Sequence, residues 1–408
     1  MEGKPPSPEG LGEQNYRQHH NQDQSDEDDE GLLFVGHGVH PLVLGLRSCY
    51  PSWSYNMIMG MVCHDAEFPF SAGGATVYPR VDRALMLNKV QKVPHYRRLS
   101  GGRRWGLLFF DPGGIDWEGE TVTGLLLKDR LFRAGRFAFP RTVYNRCFPE
   151  PRDIIGKLST TLGAENIFNE CTHLDKLNVH QHLEASEVGE YLPPTCQYSP
   201  EDLVGLLGRH VSLVFKPRLG HGGAKVLKVT FVTSGVYVLV TGWGWSIPIL
   251  DERILIAFLL AAAPPQAFIA QEYIESATYH GRKFDVRIVM QKNGQGRWEV
   301  GGQLSRLTAA SNLLTNHYEA IVSVQDLLSP VLISLLQSLS FAVAKTLDGK
   351  LGRLGELGVD YLLDTAGRPW ILEVNGKPDK SLFRKLGNGN MLRRVYLNPL
   401  EYQGHLLS

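Results

Sequence analysis

The sequence predicts an α/β protein, and three observations lead there. Short apolar runs broken by glycine and proline fill the first third. Capped helical segments then alternate with β-branched runs, and the second half is punctuated by hairpin turns at Asn293-Gly294 and Asp364-Thr-Ala-Gly367. Residues 1–30 stand apart: rich in Pro, Gln, His and acids and closing on Asp26-Glu-Asp-Asp-Glu30, they bury too little apolar surface to offset their ordering entropy, so a disordered tail is expected.

Residues 31–150 predict a small α/β domain, with strands at 32–35, 42–46, 105–110 and 122–127. It closes on Pro140-Arg-Thr-Val-Tyr-Asn-Arg146, a strand that delivers polar residues at its C-terminal end, where open α/β sheets bind ligands. Residues 151–400 predict a second domain in two lobes, 170–275 and 276–400. Thr172-His-Leu-Asp175 has the form of a capping box for a helix running to about Ser186. Ser199-Pro-Glu-Asp202 starts another, with proline at the first helical position. Strands follow at 211–215, 226–232, 236–241, 268–274, 284–290 and 298–304. Asp251 opens a helix expected to be buried over 254–263. A long helix is expected over 325–347, and the last hairpin pairs 359–363 with 370–374.

The chain has 408 residues, with forty-two basic and forty-two acidic side chains. That balance gives no sign of a nucleic-acid or membrane partner. Five cysteines, scattered and never at metal-ligand spacing, suit a reducing cytosol. The run at 254–263 is too short to span a bilayer, and the N-terminus lacks the apolar core of a signal peptide, so a soluble intracellular protein is expected.

The chemistry concentrates in the last hairpin. Alternation along Ile371-Leu-Glu-Val-Asn375 puts Glu373 and Asn375 on one face, and folding at Ala366 brings Asp360 opposite Leu372 and Glu373. Two carboxylates and an amide oxygen are hard ligands suited to magnesium. In Lys216-Pro-Arg-Leu-Gly220-His-Gly222-Gly223-Ala-Lys225, glycines can wrap backbone N–H groups around a phosphate while lysine adds charge, although a plain hairpin turn fits as well. The strand edge Gln271-Glu272-Tyr273-Ile274 can pair with an adenine edge, and Asp285, on the same strand face as Arg287, can accept from ribose hydroxyls or form a cross-strand ion pair. Lys176, in a first helical turn where cations oppose the dipole, suits a phosphate partner or a solvated helix face. Arg306 and Asn312 follow a strand as candidate anion and polar contacts.

In this order the segments resemble the ATP-grasp superfamily, and are most similar to the YheC/YheD family of endospore-coat-associated ATP-grasp proteins. The resemblance runs from Val143-Tyr-Asn-Arg146 through Phe168-Asn-Glu, Leu174-Asp-Lys176, Leu192-Pro-Pro-Thr195, Phe215-Lys216-Pro, Gln271-Glu-Tyr-Ile274, Phe284-Asp-Val-Arg287 and Ser311-Asn312 to Gly358-Val-Asp360 and Leu372-Glu-Val-Asn-Gly-Lys-Pro378. It implies an ATP-grasp fold behind a small α/β domain. Lys176 and Lys216 would bind nucleotide phosphates over Gly220, Gly222 and Gly223. Glu272, Tyr273 and Ile274 would be the adenine hinge, with Asp285 at the ribose. Asp360, Glu373 and Asn375 would hold magnesium, and Arg306 with Asn312 would face the transferring phosphoryl group.

The implied activity is an ATP- and magnesium-dependent ligase that activates a carboxylate as an acylphosphate for attack by an amine or thiol. The implied alternative is a coat-associated scaffold that binds nucleotide without turnover. Two departures bear on the choice: the turn reads Gly-His-Gly-Gly-Ala-Lys, and Leu313-Leu-Thr-Asn-His317 replaces the glycine pair common after Ser-Asn.

Overall fold

Three sheets carry the site. The computed structural model describes residues 58–63, 94–101, 105–147, 151–220, 222–223, 225–242, 244–308 and 318–407. The acidic tail, the strands expected at 32–35 and 42–46, and Asn312 with the segment to His317 lie outside the described residues. Contacts divide the chain between Pro51 and Ser52, and all described residues belong to the second unit.

The first sheet contains β1 (Ile58–Cys63), β2 (Trp105–Phe110), β3 (Ile115–Asp116), β4 (Thr121–Lys128), β5 (Leu131–Ala138), β6 (Thr142–Asn145) and β7 (Ile167–Phe168). Their order is β3-β4-β2-β1-β6-β7, with β5 on β4. Only β6–β7 is parallel. The rule that ligands sit beyond parallel strand ends therefore gives no warrant for this sheet. Helices α1 (Pro94–Leu99) and α2 (Arg152–Leu162) flank it in sequence.

The second sheet orders as β12-β11-β10-β9-β13-β8. Its strands are β8 (Thr195–Cys196), β9 (Ser212–Pro217), β10 (Leu227–Thr233), β11 (Val236–Thr241), β12 (Ser246–Ile249) and β13 (Phe268–Glu272). Helices α4 (Asp202–Arg209) and α5 (Glu252–Ala262) pack Leu203, Leu207, Leu255 and Leu259 against Phe215, Val229 and Leu239. Asp251 caps α5 as expected, accepting from the N–H groups of Arg253 and Ile254. That helix is not buried all round, however: Ile254 and Phe258 are exposed.

The third sheet orders as β17-β16-β15-β18-β19, with β14 (Thr278–Tyr279) on β15 (Arg282–Lys292). The others are β16 (Trp298–Thr308), β17 (Tyr318–Val322), β18 (Glu356–Leu363) and β19 (Pro369–Asn375). Alternation splits β15 between two cores. Val286, Ile288 and Met290 face α3 (Lys176–Glu184) and α6 (Pro330–Leu347), whereas Val289 faces α8 (Gly389–His405). The α8 residues Val395 and Leu400 share that second core with Phe109 and Tyr144 of the first sheet.

Two helix starts differ from expectation. In α3 the cap is Asp175, whose carboxylate accepts from Leu177 and Asn178, rather than Thr172. Helix α6 begins at Pro330 behind the Ser329 cap, because residues 324–326 form a separate 3-10 turn. By length and composition α6 is the one described helix apolar enough to cross a membrane. Its apolar residues are interrupted by Ser334, Gln337, Ser338 and Ser340, so it holds no unbroken apolar run as long as 254–263. In this fold Leu336, Leu339, Val343 and Leu347 pack it onto the core.

Candidate functional site

A cleft lies between the end of β9, strand β13, helix α3 and strand β19. Lys176, His180, Lys216, Ile269, Ile371 and Glu373 are among its lining residues, with Leu192 and Thr195 below. Its walls are apolar and its charged groups gather at one end.

The chain builds this end by strapping α3 to β9. Arg218 donates from Nε and Nη2 to Asp175, 3.1 and 2.8 Å to Oδ2, and the Lys176 N–H donates to the Arg218 carbonyl at 3.0 Å. Lys176 is thereby fixed in the first turn, where the dipole opposes it. Its Nζ reaches Glu373 Oε1 at 3.2 Å and the Gly220 carbonyl at 3.1 Å, which offsets that penalty. Lys216, near the end of β9, donates to Gln271 Oε1 at 2.5 Å, and Gln271 donates in turn to Thr195 Oγ1 at 2.8 Å. Burial brings the Lys216 amine down to about 8, with Glu373 opposing the shift and Lys176 adding to it.

The glycine turn joins β9 to β10, the plain hairpin also foreseen. Gly222, Gly223 and Lys225 all adopt left-handed backbone, at φ of 64°, 71° and 61°. A side chain at Gly222 would meet no atom within 4 Å, so the glycine serves the backbone angle rather than close packing.

The last hairpin forms as read: Asp360 pairs with Glu373 and Gly358 with Asn375, across a bulge after Asp360. Asp360, Glu373 and Asn375 therefore converge. Asp360 is nevertheless saturated. It accepts from Arg287 Nε at 2.7 Å and Nη2 at 2.6 Å, from Arg306 Nη2 at 3.1 Å and from Asn375 Nδ2 at 3.2 Å. A carboxylate offers about four lone-pair sites, so this arrangement leaves Glu373 Oε2 and Asn375 Oδ1 as the open oxygen donors. No group of three or more His, Cys, Asp or Glu suited to a metal occurs among the described residues, so any third donor has to include the Asn375 amide. The oxygen-only chemistry of the trio suits a hard cation.

Asp285 departs from its expected place. It is 1% exposed and opposite Arg306 on β16, whose Nε and Nη2 both donate to it, so it is spent on an ion pair and not offered to a ribose. The alternative foreseen for it, a cross-strand ion pair, is what forms, with Arg306 as the partner. Arg306 is likewise buried, held between Asp285 and Asp360. At the expected hinge, the Glu272 N–H donates to the Pro194 carbonyl and the Tyr273 N–H to the Ser212 carbonyl. Of the three hinge residues, only Ile274 has its N–H outside these two loop contacts.

Sequence reading missed His180, and it named Arg287 without its partner Asp360. His180 lies one turn after Lys176 on the same helix face. Its Nε2 is sealed from solvent without a hydrogen-bond partner, and burial lowers its pKa so that the ring is neutral at pH 7. The i,i+4 spacing from Lys176 was the available signal.

The family described as "YheC/D like ATP-grasp" matches residues 165–406, more than half of the chain. Endospore coat-associated protein YheD of Bacillus subtilis (strain 168) is 24% identical over 326 residues, 75% of this chain and 70% of the relative. Endospore coat-associated protein YheC of the same strain is 24% identical over 300 residues, covering 66% and 79%. Among solved structures, biotin carboxylase from Campylobacter jejuni is similar at TM-score 0.42 and 12% identity, covering 62% of this chain and 52% of that one. The VanG D-Ala:D-Ser ligase from Enterococcus faecalis is similar at TM-score 0.41 and 15% identity, covering 64% and 68%. With a family match of this extent, from the second sheet's approach to the end of α8, the chain belongs to the YheC/D-like ATP-grasp family.

Proposed function

We propose that this chain binds ATP in the cleft between β13, α3 and β19 and uses it to join a carboxylate to an amine or thiol. One observation carries the reading: Lys176 and Lys216 stand together at the polar end of the slot, with Glu373 of the last hairpin beside them. A flat base suits the apolar walls and a polyphosphate suits the two ammonium groups. When magnesium is bound, Glu373 Oε2 and Asn375 Oδ1 would hold it, with Asp360 behind them donating no open lone pair, and it would supply charge neutralisation to the polyphosphate.

In the first step a substrate carboxylate oxygen bonds to the γ-phosphorus of ATP while the bond to the β–γ bridging oxygen breaks, releasing ADP. In the second, the amine or thiol bonds to the acyl carbon, the C–O bond to phosphate breaks, and the nucleophile's proton leaves. Such chemistry needs alignment and charge neutralisation more than a protein nucleophile. Lys176 and Lys216 neutralise and align phosphate oxygens. His180 lines the slot one turn from Lys176, and the Gln271–Thr195 pair holds Lys216 in place. Gly220, Gly222 and Gly223 let the turn approach the phosphates.

A second reading, a nucleotide-binding scaffold without turnover, is favoured by the saturation of Asp360. The names of the two Bacillus relatives support an association with the endospore coat. Calorimetry with ATP, with and without magnesium, tests the shared part. Binding is expected in the wild type, with Lys216→Ala weakening it at least about tenfold, roughly 1.4 kcal/mol. No heat at about 5 mM ATP, well past saturation of a millimolar site, sinks both readings. A screen for ADP release over pooled carboxylates and amines then separates them, and its silence with ATP bound favours the scaffold.

A further inference from the structure

One ammonium group ties together the polar end of the cleft. Lys176 Nζ lies 3.2 Å from Glu373 Oε1 and donates to the Gly220 carbonyl at 3.1 Å. Glu373 stands on β19 of the third sheet, and Gly220 in the glycine turn that follows β9 of the second. The contact therefore joins α3, the turn and the last hairpin. The two side chains are 15% and 23% exposed, and salt screens a partly buried pair far less than a surface one.

A change of partner here is confined to the lysine side chain. The Lys176 N–H donates to the Arg218 carbonyl, and Arg218 grips the Asp175 cap beside it through Nε and Nη2. The backbone of this first turn is thus fixed to the end of β9. A flexible stem carries the ammonium, whose donors rotate from one acceptor to another.

Lys216 supplies the contrast. It lines the same cleft, but its ammonium donates to Gln271 and not to Glu373. Glu373 acts on it only through space.

The roles given above to Lys176 and Glu373 cannot be filled independently. A metal on Glu373 Oε2 shares one carboxylate with the ammonium on Oε1, which sets two like charges a few ångströms apart. A polyphosphate removes the conflict, because its oxygens accept from lysine and coordinate a hard cation at the same time. Its arrival gives the ammonium a more highly charged acceptor and leaves Glu373 to the metal.

We propose that Lys176 gates the metal position. While its ammonium faces Glu373 a divalent cation is excluded, and a nucleotide polyphosphate admits the metal by drawing that ammonium away. This rests on the ATP reading above for the identity of the polyphosphate, whereas the exclusion of bare metal stands on the Lys176–Glu373 contact. Because coupling between two ligands is reciprocal, bound metal raises nucleotide affinity by the same factor.

The test uses manganese(II) as the metal probe, its uptake by the full chain followed through the electron paramagnetic resonance of the free ion. ADP binding is measured by calorimetry in parallel. Lys176→Met keeps the apolar stem and removes the charge, and is expected to take up the bare ion at least about tenfold more tightly than wild type. Lys216→Met removes a cation that does not touch Glu373 and should gain clearly less. In wild type saturated with ADP, uptake beyond that of the manganese(II)–ADP complex in solution should be at least about tenfold tighter than uptake of the bare ion. Lys176→Gln repeats the comparison should Lys176→Met fail to fold.

Equal uptake of the bare ion by wild type and the Lys176 variants overturns the proposal, as does wild-type uptake that bound ADP leaves unchanged. A gain in Lys216→Met as large as in Lys176→Met also overturns it, since net charge alone would then be the cause. Bare-ion uptake gained by Lys176→Met in a protein that fails to bind ADP upholds the exclusion of metal and removes the ATP reading instead. ADP binding with no gain in the Lys176 variants keeps the ATP reading and removes the gate.

Discussion

Two buried ionic clusters sit on neighbouring stretches of the third sheet, and they differ in one respect. Around Asp360 two carboxylates meet two guanidinium groups, Asp285 with Arg306 and Asp360 with Arg287, joined by the Arg306–Asp360 contact. Around Glu356 one carboxylate meets Arg146 and Lys380, with hydrogen bonds from Tyr144 and Gln291 as well. The first cluster is closed, with its two acids and two bases matched on β15, β16 and β18. Among the described residues the second is saturated at the acid, while Arg146 keeps its Nε and Nη2 edge outside it. Closure is what a framework requires, and the open guanidinium edge is not needed for it.

The largest effect should come from Glu356→Ala, which removes the acid at the centre of the second cluster. Breaking a buried pair by deleting one partner costs about 3–5 kcal/mol because the other charge stays behind. Urea denaturation should show a loss of that size. A loss under about 1 kcal/mol, typical of exposed pairs, would mean that the Arg146 and Lys380 charges are solvated and the contrast is false.

The closed cluster gives the next effect. Asp285→Ala and Arg306→Ala should each destabilise, yet the double variant should lose less than the sum, with a coupling of about 2 kcal/mol, within the range for contacting ionic partners. Additive losses would show the pair to be no pair.

The smallest effect concerns the cleft. Lys216, at about 8, is the cation most easily discharged there. Phosphate binding favours its charged form, so affinity is full below pH 8 and falls as pH rises through that value, by up to about tenfold per unit. Calorimetry of ATP between pH 7 and 9.5 should show this fall together with proton uptake. A flat profile would place Lys216 outside the phosphate contacts.

What the sequence made legible was local. Alternation and the Asp364–Gly367 turn gave the register that sets Asp360 against Glu373. The glycine turn, the Asp251 cap and the strands flanking Asn293-Gly294 likewise depend on near neighbours. What it hid was set by distant partners. Asp285 carries no mark that its carboxylate goes to Arg306 rather than to a ligand, since this depends on the register of two strands twenty-one residues apart. The apolar run in α5 looks like a core helix, but which of its sides meets the sheet depends on tertiary packing, and Ile254 ended up outside. The first sheet looks α/β in its composition, yet strand direction is fixed by connections that hydrophobic pattern does not encode.

The contact between Arg146 and Glu356 spans 210 residues, and that between Tyr144 and Glu356 spans 212. On a chain synthesised from its N-terminus, β6 therefore waits for more than half of the remaining sequence before its carboxylate partner exists. Closing a loop of that length is among the slower events in folding, since chain entropy is lost before the contact rewards it. The first sheet must hold Tyr144 and Arg146 against water in the interval, and Lys380 arrives later still. The cluster is thus one of the last joints to set, and nascent chains that stop short of β18 would carry Arg146 without its acid.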